Sequence, residues 1–189
     1  MFHDISANMQ QVMRALEEET ERDQVALRSV SVDVGHCLAL LAMSAPQGAF
    51  LELGSSCGYS SLWLSLAARA RSVTLTTVEL NEKKVALVRE NMSAAGVADS
   101  VEAVHGDALD YATQVEHIAF CFSDLQPPEL NAKAYEIVVP RLVPGGWLVI
   151  DNVTSPRLQT ELLNHAENDP RVDSVLLPFP KGDLICRKC

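Results

Sequence analysis

The segment of residues 49–60 constrains the fold more than any other part of the chain. A short apolar run leads to the acid Glu52, the chain turns through Gly54 and Gly58, and a helical pattern begins near Tyr59. Glycine has no Cβ, so it permits a tight turn and lets a ligand approach the backbone closely. A carboxylate here argues against a phosphate cradle and favours a site for an amino group or a ribose. The segment therefore predicts a strand–loop–helix unit that binds a ligand.

The residues that follow alternate short apolar strand patterns with helical patterns. This alternation predicts an α/β fold, a doubly wound and mostly parallel seven-stranded sheet with an antiparallel C-terminal strand. The predicted strands are 50–53, 73–79, 101–105, 118–122, 147–150, 172–177 and 184–187. The predicted helices are 59–69, 82–95 with Asn81 as its cap, a short one from Asp107, 128–139, and one opened by Ser155-Pro156 that runs to about 167. Pro144-Gly145-Gly146 is predicted to be a turn.

The first quarter of the chain has helical patterns only. Apolar residues recur at helical spacing over residues 4–27, and Asp33 is expected to cap a second helix that ends before 46–48. We expect one domain over residues 1–189, in which 1–45 form a helical extension and 46–189 the α/β core. The apolar face of the first helix suggests packing across a homodimer.

Composition narrows the class of partner. The chain has 15 Lys and Arg against 25 Asp and Glu, a net charge of −10, with no run of basic residues, which argues against nucleic acid. It has neither a secretion signal nor a run near 18 apolar residues, so we expect neither export nor a membrane span. The 5 cysteines have no metal-ligand spacing and are expected to be reduced thiols in a cytoplasmic protein.

Polar residues stand at the ends of five successive predicted strands. They are Glu52, Glu79, His105-Gly106-Asp107-Ala108, Asp124 and Asp151-Asn152. Ligands of open α/β sheets bind at the carboxyl ends of the strands, and an acid after the second strand can accept both ribose hydroxyls. Each acid taken singly could instead be a helix cap. Together with the glycine loop, the five ends favour a binding site.

Asp124, Asp151 and Asn152 support a second hypothesis, a metal site. Two carboxylates and one carboxamide on adjacent strands offer the hard oxygen ligands that suit Mg²⁺. In the alternative interpretation, Asp124 touches an organic cofactor and Asp151 only caps the following turn. Spacing alone leaves both open.

Two motifs together resemble those of a known enzyme superfamily. L-E-x-G-x-x-x-G-Y-S over 51–60 and P-G-G-x-x-x-x-D-N over 144–152 are similar to motifs of the catechol and caffeoyl-CoA O-methyltransferases, which use S-adenosylmethionine (SAM). Lys181-Gly182-Asp183-Leu184 resembles the closing hairpin of small bacterial members, so the similarity runs from about residue 28 to the C-terminus. The resemblance implies a Rossmann-like methyltransferase fold.

The resemblance also implies roles for individual residues. Glu79 would hold the ribose, Leu80 and Ala108 would flank adenine, and Val30 would line the entrance. Asp124, Asp151 and Asn152 fall on the catalytic metal ligands, where a divalent cation lowers the pKa of the acceptor hydroxyl. The complete set of implied cofactor-binding residues is Val30, Glu52, Gly54, Ser56, Gly58, Ser60, Glu79, Leu80, Asp107, Ala108 and Asp124.

One departure from the superfamily pattern bears on catalysis. The family usually has a lysine three residues after the first metal-ligand aspartate and often a tyrosine three beyond it, where this chain has Pro127 and Leu130. Loss of a general base costs about 10²–10⁴ in rate. Either the metal alone ionises the acceptor, or another group such as Lys133, Lys181 or a histidine (His36 and His105 lie closest) replaces the lysine, or catalysis is lost.

The leading hypothesis is therefore a SAM-dependent O-methyltransferase acting on a small catechol-like or phenolic acceptor, assisted by a divalent metal. A tRNA hydroxyuridine methyltransferase is a second possibility, against which the net charge counts. A third is a SAM-binding protein without transferase activity, which the missing lysine would explain. A nicotinamide dehydrogenase fits least, because the glycine spacing differs from G-x-G-x-x-G.

Overall fold

The core of the molecule is a seven-stranded sheet, as the sequence predicts. The computed structural model describes residues 2–22, 29–154 and 159–189. The strands are β1 Ala49–Leu53, β2 Leu75–Glu79, β3 Val101–His105, β4 Ile118–Ser123, β5 Leu142–Ile150, β6 Val172–Leu177 and β7 Asp183–Lys188. Their order in the sheet is β3-β2-β1-β4-β5-β7-β6. Strands β1 to β5 pair in parallel, and β7 runs antiparallel to both of its neighbours.

Helices cover both faces of this sheet. They are α1 Ala7–Arg22, α2 Val32–Ser44, α3 Tyr59–Arg71, α4 Glu82–Ala95, α5 Ala108–Ala112, α6 Leu130–Val138 and α7 Gln159–Glu167, with short 3₁₀ turns at Phe2–Asp4 and Val139–Arg141. Successive strand residues point to opposite faces. Phe50 and Phe120 pack with α1 to α4, whereas Leu51 and Cys121 pack with α5 to α7. The sheet is therefore doubly wound, which confirms the predicted class.

Several element boundaries follow the local signals closely. Asn81 Oδ1 accepts the Lys83 and Lys84 amides at the start of α4, and Gly96 ends that helix in the left-handed region. The first helix starts at Ala7, later than predicted, because Ser6 Oγ accepts the Met9 amide after the 3₁₀ turn. The predicted continuation over 23–27 and the predicted start at 155–156 lie outside the described residues.

The predicted turn at 144–146 is wrong, because these residues belong to β5. The pairing with β4 jumps from Ile118↔Leu142 to Phe120↔Trp147, so the strand carries an irregularity rather than a break. A Cβ on Gly146 would lie 2.9 Å from the Val143 carbonyl oxygen and 3.0 Å from that of Ile118. Gly146 thus permits the close approach of two backbones, as in a β-bulge.

The cap of α2 also differs from the prediction. Ser31, not Asp33, is the N-cap, and its Oγ accepts the Val34 amide at 3.3 Å. Asp33 lies in the first turn and can act only through the helix dipole. We expect Ser31→Ala to lower the free energy of unfolding by about 1 kcal/mol, because an orphan amide loses its acceptor.

Urea denaturation of Ser31→Ala and Asp33→Ala side by side tests this assignment. Asp33→Ala removes no cap, so its loss should be smaller than that of Ser31→Ala. The reverse order would restore Asp33 as the capping residue.

Candidate functional site

A cavity of about 1120 Å³ opens at the carboxyl ends of the parallel strands. Loops that follow β1, β2, β3, β4 and β5 line it, together with the turn between β6 and β7. The residues on its wall are Thr20, Ser29, Gly54, Ser56, Val78, Glu79, Leu80, Asn81, Lys84, Asp107, Ala108, Leu109, Asp124, Leu125, Gln126, Pro128, Leu130, Asn152, Thr154, Pro180 and Lys181. The sheet thus brings distant polar residues together at its switch point, where such folds bind ligands.

Glu79 organises the first loop of the cavity. Its Oε2 accepts the Ser56 amide at 3.0 Å, and its Oε1 accepts the Asn81 amide at 2.9 Å. Lys84 Nζ donates to Ser56 Oγ at 3.2 Å from the facing helix α4. The carboxylate that ends β2 therefore joins the loop after β1 to the start of α4, and it lies on the cavity wall.

Gly54 permits the closest backbone contact in this loop. Its φ is +89°, and a Cβ would lie 2.6 Å from the Asp124 carbonyl oxygen. Backbone cannot move aside as a flexible side chain can, so a larger residue here would push the loops after β1 and β4 apart. The close approach of these two loops therefore requires glycine at residue 54.

We expect Gly54→Ala to destabilise the protein by more than the roughly 1–3 kcal/mol of a strained φ alone. Gly96→Ala is the matched control, because Gly96 has a φ of +73° and no atom lies within 4 Å of the position that a Cβ would occupy. Urea denaturation of both variants separates backbone strain from the clash. Equal losses of unfolding free energy in the two variants would mean that the contact between a Cβ at residue 54 and the Asp124 carbonyl adds nothing to the backbone strain.

Glu52 lies beneath the loop and not on the cavity wall. Its side chain is fully buried, its Oε2 accepts Ser61 Oγ, and its Oε1 has no partner among the described residues. Burial raises the pKa of this carboxyl, so the environment favours its neutral form. Glu52 is one of the predicted cofactor-binding residues, and in this structure its carboxylate faces Ser61 rather than the cavity.

Three other predicted cofactor residues also lie off the wall. Gly58 is the left-handed N-cap of α3, and a Cβ there would lie 2.9 Å from Met92 Cε. Ser60 is buried in the first turn of α3. Val30 is half-buried against the hydrophobic core, although its neighbour Ser29 does reach the cavity. Gly58 and Ser60 therefore lie where this loop joins α3.

Residues at the ends of β2 and β3 form one end of the cavity. Asp107 caps α5 by accepting the amides of Leu109 at 2.8 Å and Asp110 at 3.1 Å. Leu80 is 69% exposed beside it, an unusual state for a large apolar side chain. The structure therefore brings Leu80, Asp107 and Ala108 to one wall with Glu79, as the sequence predicts.

Acidic residues from β4, β5 and β7 gather on the other side. Asn152, which has a φ of +64°, donates its Nδ2 to Asp124 Oδ1 and its amide to Asp151 Oδ1. Asp151 is buried just behind the wall. Burial and the negative Asp151 raise the pKa of Asp124 to about 7, and the positive Lys181 opposes this rise.

Asp183 is a member of this cluster that the sequence patterns did not indicate. It is buried at the start of β7, and its Oδ1 has no partner among the described residues. Burial and Asp151 raise the pKa of this carboxyl to about 8. Its only sequence signal is a place in the Lys181-Gly182-Asp183-Leu184 segment, far along the chain from Asp151, so spacing could not have identified it.

The cluster fits a hard cation by the chemistry of its side chains. Asp124, Asp151 and Asn152 carry oxygen donors on adjacent strands, and a cation would offset their crowded negative charge. Within the described ranges, however, no group of three or more His, Cys, Asp or Glu side chains is placed to hold a metal ion. Any site here would use Asn152 and water or acceptor oxygens as further ligands.

Of the candidates for the missing lysine, only Lys181 reaches the cavity. Lys133 is exposed on α6 and not on the wall. The His36 ring packs 4.5 Å from that of Phe2 and 4.7 Å from that of Trp63, so it serves the core. His105 hydrogen-bonds the Leu80 carbonyl at 3.0 Å. Thr20, Ser29, Asn81 and Lys84 are further wall residues that sequence reasoning missed.

Comparison with known proteins identifies relatives over most of the chain. A family model described as a methyltransferase domain matches residues 51–153. The chain is 34% identical over 126 residues to a catechol O-methyltransferase of Mycobacterium tuberculosis and 33% identical over 131 residues to one of Niastella koreensis. Each alignment covers 66% of this chain, and the chain spans only 57% and 58% of those relatives.

Solved structures show the same architecture. An O-methyltransferase from Bacillus cereus in complex with SAH (S-adenosylhomocysteine) matches this chain with a TM-score of 0.79 at 24% identity. The match covers 95% of this chain and 91% of that one. The match confirms the Rossmann-like methyltransferase fold. With more than half of its residues matched by the family model, the chain belongs to the methyltransferase-domain family.

Proposed function

We propose that this protein is a SAM-dependent O-methyltransferase that modifies a hydroxyl group of a small catechol-like or phenolic acceptor. Family membership and the two catechol O-methyltransferase relatives support the reaction class. The observation that carries the proposal is Glu79, which faces the cavity at the end of β2 with the Ser56 and Asn81 amides on its oxygens. A net charge of −10 supports a small acceptor over RNA.

The residues on the cavity wall suit SAM by their chemistry. Glu79 would accept ribose hydroxyls, and the exposed Leu80 would cover one face of the adenine ring. Gly54 lets the loops after β1 and β4 approach each other closely, and the methionine end of SAM would lie beside the Ser56 backbone. These residues would bind and orient the cofactor, and orientation is the main requirement of the transfer.

Bound SAM would supply a methyl group on a sulfonium. The acceptor oxygen would form the O–C bond as the S–C bond breaks, sulfur would keep that electron pair, and the hydroxyl proton would pass to solvent. The chain must therefore hold an oxygen in line with that bond and favour its ionised form. Leu125, Pro128 and Leu130 provide apolar walls that would exclude water and accommodate an aromatic ring.

We further propose that a divalent cation such as Mg²⁺ is held by Asp124, Asp151 and Asn152. The support is donor chemistry: oxygen-bearing side chains converge from the ends of β4 and β5, and Asp124 lies on the cavity wall. A bound cation would lower the pKa of an acceptor hydroxyl. These aspartates would then fix the position of the oxygen that attacks.

A transfer assay tests the proposal. Protein, SAM and a panel of catechols and monophenols are incubated with Mg²⁺ or with EDTA, and products are read by mass spectrometry. We expect methyl ethers of at least one catechol, with loss of product in EDTA. Equal product in EDTA would reject the cation. Saturable SAH binding without product on any acceptor would favour a SAM-binding protein instead.

A further inference from the structure

We propose that Lys181, on the turn between β6 and β7, binds the reacting oxygen of the acceptor and stabilises its ionised form. The inference rests on the proposed function and adds to it the residue that performs the task left open at Pro127. It is carried by three observations: the anchoring of the turn, the position of the lysine among the acids, and the apolar surface that lines the same cavity.

The turn that bears Lys181 is held firmly against the loop after β5. The Lys181 carbonyl accepts the Thr154 amide at 3.1 Å and Thr154 Oγ1 at 2.7 Å, and the Gly182 carbonyl accepts the Val153 amide at 3.1 Å. Gly182 has a φ of +69°, and a Cβ there would lie 2.1 Å from Thr154 Cγ2. The backbone of residue 181 is therefore fixed beside Thr154, and these contacts do not use its side chain.

The charge of Lys181 acts on the acidic cluster. Its ammonium lowers the pKa of both Asp124 and Asp183, which places it electrostatically beside these carboxyls. Of the described residues on the wall, Lys84 is the other ammonium, and it donates to Ser56 Oγ at the cofactor end. Among the described wall residues, Lys181 is thus the ammonium that lies near Asp124, where the acceptor would bind.

The surroundings indicate what Lys181 would bind. Leu125, Pro128 and Leu130 offer apolar surface on the same wall as Asp124 and Lys181. A flat hydroxylated ring would lie against this apolar surface, with its oxygens toward the acids and the ammonium. A positive group that faces developing negative charge favours the ionised oxygen without taking part in covalent chemistry. Lys181 can therefore perform the electrostatic task from a different element of the fold.

Three variants test this assignment in the complete protein: Lys181→Met, Lys181→Arg and Lys133→Met. The anchoring contacts of residue 181 use only its backbone, so all three should fold and bind SAH like the wild type. We expect Lys181→Met to lower kcat/KM by about 10²–10³, the range for loss of one stabilising group. Lys181→Arg keeps the charge and should retain most activity, and Lys133→Met should match the wild type.

A spectroscopic measurement distinguishes an electrostatic role of Lys181 from a merely structural one. The ionisation of 4-nitrocatechol is followed by absorbance in the complex with SAH and Mg²⁺. We expect the wild type to lower the pKa of the bound phenol and Lys181→Met to raise it again by about one unit. The pH profile of kcat/KM should move in the same direction.

Each contrary result has one meaning. Lys181→Met with wild-type kcat/KM, equal losses in Lys181→Met and Lys181→Arg, or a nitrocatechol pKa unaffected by the wild type would each overturn the assignment while leaving transferase activity in place. A wild type that methylates no acceptor would instead reject the proposed function, and this inference with it.

Discussion

Asp124→Asn is expected to lower kcat for methyl transfer by about a thousandfold, within the range seen when a group that stabilises charge in the transition state is lost. Asp124 lies on the cavity wall, beside Asn152, where the proposed cation and acceptor oxygen would meet. Asparagine keeps the shape but removes the charge that would hold the cation. Initial rates with a saturating catechol and Mg²⁺ measure the effect, with Asp99→Asn, an exposed aspartate off the wall, as control.

The same substitution should not destabilise the fold. The pKa of Asp124 is raised from 3.8 to about 7, so the folded state holds its proton more tightly than the unfolded chain. The carboxylate therefore costs stability progressively as the pH rises from 3.8 through about 7. In EDTA above pH 7, Asp124→Asn should be more stable toward urea than the wild type, and the difference should shrink at lower pH. A less stable variant at pH 8 would contradict this electrostatic interpretation.

Glu79→Gln is expected to weaken SAH binding by roughly 30- to 150-fold, about 2–3 kcal/mol, because hydrogen bonds to a carboxylate are stronger than those to an amide. In the wild type, the Glu79 carboxylate accepts hydrogen bonds from two backbone amides and lies on the cavity wall. An amide oxygen can replace only one carboxylate oxygen, so the Ser56 loop or the ribose loses a partner.

Calorimetry with SAH measures this effect. Glu102→Gln, an exposed glutamate on the neighbouring strand β3 and off the wall, is the matched control and should bind SAH like the wild type. An unchanged dissociation constant in Glu79→Gln would move the ribose site away from the end of β2.

The ends of the strands explain why much of the site could be predicted. A parallel sheet brings the carboxyl end of every strand to one edge, so Glu79, Asp107, Asp124 and Asn152 had to lie near one another once the alternation of strands and helices was recognised. That inference needs only local patterns and one topological rule. The caps at Asn81 and Asp107 are equally local, and both lie where the sequence indicates.

Other features depend on contacts that sequence patterns do not encode. Glu52 reads like a site residue but points to Ser61 beneath the loop, because the alternation of strand side chains turns it into the layer that packs against α3. Asp183 joins the acids only because β7 inserts antiparallel beside β5. The Pro144-Gly145-Gly146 sequence is typical of a turn. Gly146 nevertheless lies within β5, because it packs closely against the backbone of β4. Pairing across the sheet decides the positions of Asp183 and Gly146.

Calorimetric titration of SAH into the wild-type protein tests the central claim most directly, because the identity of the acceptor does not enter. We expect saturable one-to-one binding that Glu79→Gln weakens and Glu102→Gln does not. Absence of saturable binding, or equal binding by all three proteins, would contradict the claim that the strand ends around Glu79 form a SAM site.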